Sequence, residues 1–284
     1  MSYRFRLFDD AREYAAIVRP FLLRAEARNN VLLGVLRQLV SGDHDYEEPI
    51  LLGALESNEG VIGCVWRTPP NKLGLTEIPV RAVEVVAEGV SKVYSWPEAA
   101  FGPSESVMRF GEAWSKHTGG AYRPGMHRGV YELDDVTPPS RKARGRMVTA
   151  PHEELPRVIA WVVGFRRDSG VSGGDPLVVG RRLVRSGRVY LWLDDGVPRS
   201  MAAAIAFTDH GVRIGHVYTP PEYRGRGYAG MLVAVLSRVM LDKGRKFCVL
   251  HADLANPTST RIYTRLGYRK IGEALDVIFE RQEV

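Results

Sequence analysis

The chain has 284 residues, 45% hydrophobic and 25% charged, a balance that excludes a disordered polar chain and supplies apolar material for more than one core. Two domains are expected at this length. The net charge of +6 admits anionic partners, but the excess is spread along the chain, which argues against nucleic acid. Met1 to Phe8 has no apolar signal region and no stretch is long enough to cross a bilayer, so a cytoplasmic protein with no membrane partner is expected.

In chain order, 4–8 reads as a strand and 11–39 as one or two amphipathic helices. The apolar runs 49–55 and 61–66 flank Ser57-Asn58-Glu59-Gly60 and predict a hairpin. Lys72 to Ile78 reads as a strand and Val80 to Tyr94 as a helix entered through Pro79. Ser104 to Lys116 reads as a second helix that ends at Gly119-Gly120, and Val130 to Leu133 as a closing strand. Thr137-Pro138-Pro139 and the basic run Arg141 to Arg146 read as a solvated linker, giving domains 1–136 and 147–284 joined by 137–146. Beyond it, helices are expected at 153–167 and 175–185, and strands at 189–193, 200–207 and 212–218. A helix to Gly244, a strand at 247–250, a helix at 256–266 and two final strands, 268–271 and 277–280, complete the pattern. Cys64 and Cys248 lie in apolar runs and read as buried thiols, and no metal-ligand spacing exists, so no metal is expected.

The chemistry concentrates in Tyr218-Thr219-Pro220-Pro221-Glu222-Tyr223-Arg224-Gly225-Arg226-Gly227-Tyr228-Ala229-Gly230, which holds a G-x-G-x-x-G between a strand and a helix. Taken alone this satisfies a dinucleotide fingerprint, with Asp253 as the ribose acid. The context argues otherwise: Thr219 to Arg224 separates the strand from the first glycine, and too little chain follows Asp253 for a parallel sheet. A kinase loop is excluded by the missing lysine and catalytic-loop motifs. What the spacing supports is a pyrophosphate cradle, with glycine N–H groups converging at a helix N-terminus and Arg224 and Arg226 adding full charges.

Arg224, Gly227 and Ala229 match the R/Q-x-x-G-x-G/A motif of the GNAT superfamily of acyl-CoA-dependent N-acyltransferases, which residues 147 to 284 resemble. Asn256-Pro257-Thr258-Ser259-Thr260-Arg261-Ile262-Tyr263-Thr264-Arg265-Leu266-Gly267-Tyr268 is similar to the family's N-x-x-S/A-x-x-x-Y-x-x-x-G-F/Y segment. The resemblance implies an α/β fold whose mixed, mainly antiparallel sheet is flanked by helices. It also implies acetyl-CoA as co-substrate and an N-acetyltransferase acting on a small-molecule or peptide amine; a non-catalytic acyl-CoA-binding protein is the rival. By the same resemblance the backbone of Val217, Tyr218 and Thr219 meets the acyl arm, and the amides of Gly225, Arg226, Gly227, Tyr228, Ala229 and Gly230 hold the pyrophosphate. Asn256 and Ser259, one turn apart on a helix, meet the pantetheine or phosphate arm, and Tyr263 protonates the departing thiolate. The general base is not visible: the strand before the loop carries Arg213 and His216, and strand alternation places His216 opposite Val217 and Thr219 as a surface residue, leaving water-mediated deprotonation.

The first half has a similar order of elements, and Trp66-Arg67-Thr68-Pro69-Pro70 is similar to Tyr218-Thr219-Pro220-Pro221, so a tandem, diverged copy of the same fold is expected. Its loop equivalent, Leu73 to Val80, has no paired glycines and no arginine, so it is expected not to bind coenzyme A. A homo-oligomer and the identity of the acceptor stay open.

Overall fold

The computed structural model describes residues 2–281 except 45, 141 and 172. The chain forms two compact units, residues 1–129 with 272–284, and residues 130–271. This division differs from the one expected at 137–146. Residues 134–140 and 142–145 are irregular, as their prolines and charges suggest, but they pack within the second unit instead of forming a solvated tether. Thr137 N–H donates to Leu266 O at 2.9 Å and Trp192 Nε1 donates to Arg144 O at 2.8 Å. Arg141 of the expected linker lies outside the described residues.

In the first unit the order is β1 (Arg4–Leu7), α1 (Ala11–Leu23), α2 (Asn30–Ser41), β2 (Leu51–Ser57), β3 (Gly60–Arg67), β4 (Leu73–Leu75), α3 (Val83–Ser91), β5 (Ala99–Pro103) and α4 (Ser104–Thr118). β6 (Ala121–Leu133) begins in this unit, and the chain returns to it in β12 (Arg269–Glu280). β1 to β4 pair antiparallel in sequence order, β4 pairs parallel with β5, and β5 pairs antiparallel with residues 274–278. Period-two alternation divides the strands between two cores. Leu52, Ala54, Cys64 and Trp66 meet α1 and α2, and Leu51, Leu55, Val65 and Leu73 meet α3 and α4. Asp10 caps α1, its carboxylate accepting from the N–H groups of Arg12 and Glu13.

The second unit repeats that order: β7 (Arg146–Thr149), α5 (Leu155–Ser169), α6 (Pro176–Arg185), β8 (Val189–Asp194), β9 (Val197–Phe207), β10 (Gly211–Tyr218), α7 (Tyr228–Asp242), β11 (Phe247–Asp253) and α8 (Pro257–Arg265). β7 to β10 are antiparallel and β10 pairs parallel with β11. Val189, Leu191, Met201, Ala203 and Tyr218 face α5 and α6, while Tyr190, Trp192, Ala202, Ala204, Val212 and Ile214 face α7. Leu232, Val233 and Leu236 of α7 are fully buried, each such side chain contributing about 1.5–3 kcal/mol.

Several strands depart from the pattern read along the sequence, among them β6, which was expected only at 130–133 and begins at Ala121. β5 and β7 carry weak strand signals: Ala99-Ala100-Phe101-Gly102-Pro103 owes its extension to the neighbours that pair with it on both sides, and β7 is four residues at one end of the antiparallel meander. The two strands expected at 268–271 and 277–280 are one strand, β12, because Gly272 takes no left-handed backbone and makes no turn. No described helix is long and apolar enough to cross a membrane.

Candidate active site

The ladder between β10 and β11 ends early. Gly211, Val212 and Arg213 face Phe247, Cys248 and Val249, yet β10 runs on to Tyr218 and β11 to Asp253 without further pairing. On its other side β10 pairs Gly215 with Ala203 and then Tyr218 with Met201, so the two residues 216 and 217 oppose Ala202 alone. This is a β-bulge, with His216 in the left-handed region at φ 49. A bulge bends and twists the strand that carries it, and past Arg213 the main chains of β10 and β11 are not paired with each other, so the parallel ladder is open at that end.

Two glycines hold the α5 side of β10 close. A Cβ at Gly164 would stand 2.4 Å from the Tyr218 hydroxyl, and one at Gly215 would stand 2.5 Å from Ile205 Cδ1. Tyr218 thus packs under α5 and fixes the end of the strand. Its carbonyl accepts from Ser200 Oγ at 2.9 Å, and Thr219 Oγ1 donates to the same Ser200 oxygen at 2.9 Å. Of the residues expected to meet an acyl arm, Tyr218 and Thr219 have their carbonyls engaged, and Val217 on the bulge packs its side chain toward the α7 core.

After Thr219 the chain turns through Pro221–Tyr223 into the glycine loop. Gly225 (φ 74) and Gly227 (φ 87) adopt left-handed backbone that L side chains resist. Gly227 is the N-cap of α7 and supplies no side-chain cap, so the N–H groups of the first turn point out of the helix toward the loop. Gly230 stands 3.5 Å, measured from an ideal Cβ, from Ile262 of α8, bringing the two helices together.

The arginines and the tyrosine of the loop are arranged differently from what the motif suggests. Arg224 pairs with Asp168 of α5 and donates from Nε to Thr219 O at 2.9 Å, so its charge fastens the loop to α5 instead of standing in the cradle. Tyr228 turns its ring into the core and donates its hydroxyl to Asp194, leaving only its backbone at the loop. Arg226 is exposed. Ala229 offers its N–H in the first turn of α7.

Asn256 is the N-cap of α8, not a residue of the helix, and it and Ser259 hold each other. Asn256 Oδ1 accepts from Ser259 N at 3.2 Å, and Ser259 Oγ donates to Asn256 O at 3.1 Å. Tyr263, two turns on, is 8% exposed and packs edge-on against Tyr268 with ring centroids 6.1 Å apart. Burial pushes its phenol up from 10.0 to about 12, so it stays protonated across the physiological range.

His216 lies on the face opposite Val217, as expected, but it is not a surface residue: its ring centroid is 5.4 Å from that of Phe165 of α5, with Nδ1 buried and without a hydrogen-bond partner. Burial first, and then the charges of Arg213, Arg166 and Arg182, lower its pKa from 6.5 to about 4. It is neutral at neutral pH and a weak base.

Residues 193–277 match the FR47-like protein family model. No curated protein matches the chain. Solved structures resemble it over nearly their whole length. A Drosophila protein is 16% identical with a TM-score of 0.69, covering 98% of this chain and 99% of that one. A GCN5-related N-acetyltransferase from Sphaerobacter thermophilus is 16% identical with a TM-score of 0.63, covering 99% and 97%. A tandem GNAT protein from the clavulanic acid biosynthesis pathway is 10% identical with a TM-score of 0.54, covering 100% and 99%. The fold is that of GNAT acetyltransferases, a mixed, mainly antiparallel sheet flanked by helices.

Proposed function

We propose that the chain is an N-acetyltransferase that moves an acetyl group from acetyl-CoA to a primary amine by direct attack in a ternary complex. The observation that carries this reading is the open end of the ladder between β10 and β11, followed by an uncapped helix N-terminus entered through Gly225 and Gly227. A thioester carbonyl needs hydrogen-bond donors that are already in place, and a pyrophosphate needs convergent N–H groups; one end of the second unit supplies both kinds.

In this reading the backbone of β10 beyond the bulge holds the acyl arm, and the amides of Gly225 to Gly230 receive the pyrophosphate. Asn256 and Ser259 border the arm on the α8 side. The amine nitrogen attacks the thioester carbonyl carbon, the carbon–sulfur bond breaks, and Tyr263 gives its phenolic proton to the departing sulfur. Burial keeps the phenol protonated at neutral pH, so its proton is in place when the carbon–sulfur bond breaks. His216, neutral but depressed to about 4, is too weak a base to take the ammonium proton at neutral pH, so water carries it away. The first unit binds no coenzyme A, giving one molecule per chain. Free-thiol release from acetyl-CoA in the presence of an amine panel tests the reading: turnover with at least one amine supports it, and acetyl-CoA binding without amine-dependent thiol release replaces it with an acyl-CoA-binding protein.

A further inference from the structure

On the α5 and α6 side of β10, half-buried arginines on three elements act on one neutral ring. Arg166 lies on α5, Arg182 on α6 and Arg213 on β10, and all three act electrostatically on His216. Arg166 and Arg182 form no ion pair among the described residues. Arg166 donates instead to the carbonyls of Gly173 and Gly174, the latter at 2.5 Å, which orients its guanidinium without neutralising it. Asp175 acts on Arg166, and it also caps α6 through Leu177 N–H at 2.8 Å. At the centre is His216 Nδ1, buried and lacking a hydrogen-bond partner, held there by the strained bulge. A buried polar atom left unsatisfied is costly, and half-buried positive charges favour an anion that reaches them.

We propose that this side of the bulge is an acceptor subsite for an oxyanion, so that the acceptor is an amine carrying a carboxylate close to its nitrogen, as an α-amino acid does. The assignment rests on the acyl-transfer reading and narrows its acceptor. A polyamine or any polycationic amine meets the like charges of Arg166 and Arg182 here and is disfavoured. A carboxylate meets guanidinium donors and the unpartnered imidazole, and it offsets the charge that would otherwise repel the ammonium form of the same molecule. Specificity of this kind is steep, because an analogue lacking the anion leaves the buried polar groups unpaired.

The test follows the His216 imidazole by NMR in the full-length protein, with and without CoA, while N-acetyl-L-alanine or N-acetyl-L-alaninamide is added. These probes are the product expected for an amino-acid acceptor and its uncharged counterpart. Saturable shifts with the carboxylate, at least ~10-fold weaker binding of the amide and loss of that preference in Arg182→Gln are expected. Equal binding of the two probes, or no saturable shift with either, overturns the subsite. Absence of acetyl-CoA binding in the same folded sample overturns the acyl-transfer reading instead, and the imidazole titration separates the two failures.

Discussion

The two units repeat one order of elements, yet the parallel strand pair at the centre of each behaves differently. In the second unit β10 and β11 part after Arg213 and Val249. In the first, a Cβ on Gly102 of β5 would stand 2.8 Å from the carbonyl oxygen of Leu75, so β4 and β5 stay in contact where the other pair opens. The loop that follows is closed as well: Ile78 is buried, and its N–H donates to Ser106 Oγ at 2.9 Å. Lys72, just before β4, pairs at 2.6 Å with Asp276 of β12, which also takes Arg128. The first unit satisfies the loop amide of Ile78 internally. A fold of this kind keeps its shape without its cradle, because core packing and ladder pairing do not need the glycines.

The largest effect expected in that comparison belongs to Tyr263. Tyr263→Phe keeps the ring packed on Tyr268 and removes the proton donor, so turnover falls about 10²–10⁴-fold while acetyl-CoA affinity changes little. Steady-state kinetics beside calorimetric titration checks this. A matching loss of affinity with turnover intact makes Tyr263 a packing residue.

His216 gives a pH signature confined to the second unit. Its folded-state pKa lies below the unfolded value, so its contribution to stability is complete above about 6.5, falls between about 6.5 and about 4, where the unfolded chain alone is protonated, and levels off below about 4. The loss is on the order of 3 kcal/mol. Urea melts from pH 7 to pH 4 are expected to show a slope that His216→Gln flattens; equal slopes in the two proteins contradict the buried, neutral ring.

Ser106→Ala strands the buried Ile78 N–H and is expected to cost about 1–3 kcal/mol of stability with acetyl-CoA affinity unchanged. A fall in affinity makes the first unit part of the cofactor site. The smallest change separates the cap of α8 from a ligand contact. Asn256→Asp keeps the side-chain acceptor for Ser259 N–H, so stability stays within about 0.5 kcal/mol, while a phosphate arm beside it raises the acetyl-CoA Kd several-fold by repulsion. Unchanged affinity leaves Asn256 a cap alone.

Much of this was legible in the residues. The glycine spacing after Tyr218, with prolines before and apolar residues at helical spacing after, placed the cradle between a strand and a helix, and the absence of such a pair after Leu75 marked the first unit as different. The segment Asn256 to Leu266 read as a helix that carries Tyr263, and only the structure shows that Asn256 caps it from outside. What was not legible depended on partners distant in sequence. The bulge at His216 shows only in the register with Ala202, and no local residue type announces it. β12 reads as two strands until Gly272 is seen without a turn, and Arg224 reads as a phosphate ligand until Asp168 of α5 is found beside it. The proline-rich, basic stretch before Arg146 reads as a tether because nothing local reveals that Trp192 and Leu266 hold it.

The central claim is that the open strand pair and its glycine loop receive acetyl-CoA once per chain. Titration of acetyl-CoA into the full-length protein, beside Gly227→Val, tests it most directly. A β-branched residue at φ 87 costs on the order of 1–3 kcal/mol in strain and disturbs the cap of α7, while the core of the second unit does not involve it. The account predicts one site per chain in the native protein and none measurable in a folded Gly227→Val variant; two sites, or binding that survives the substitution, contradicts it.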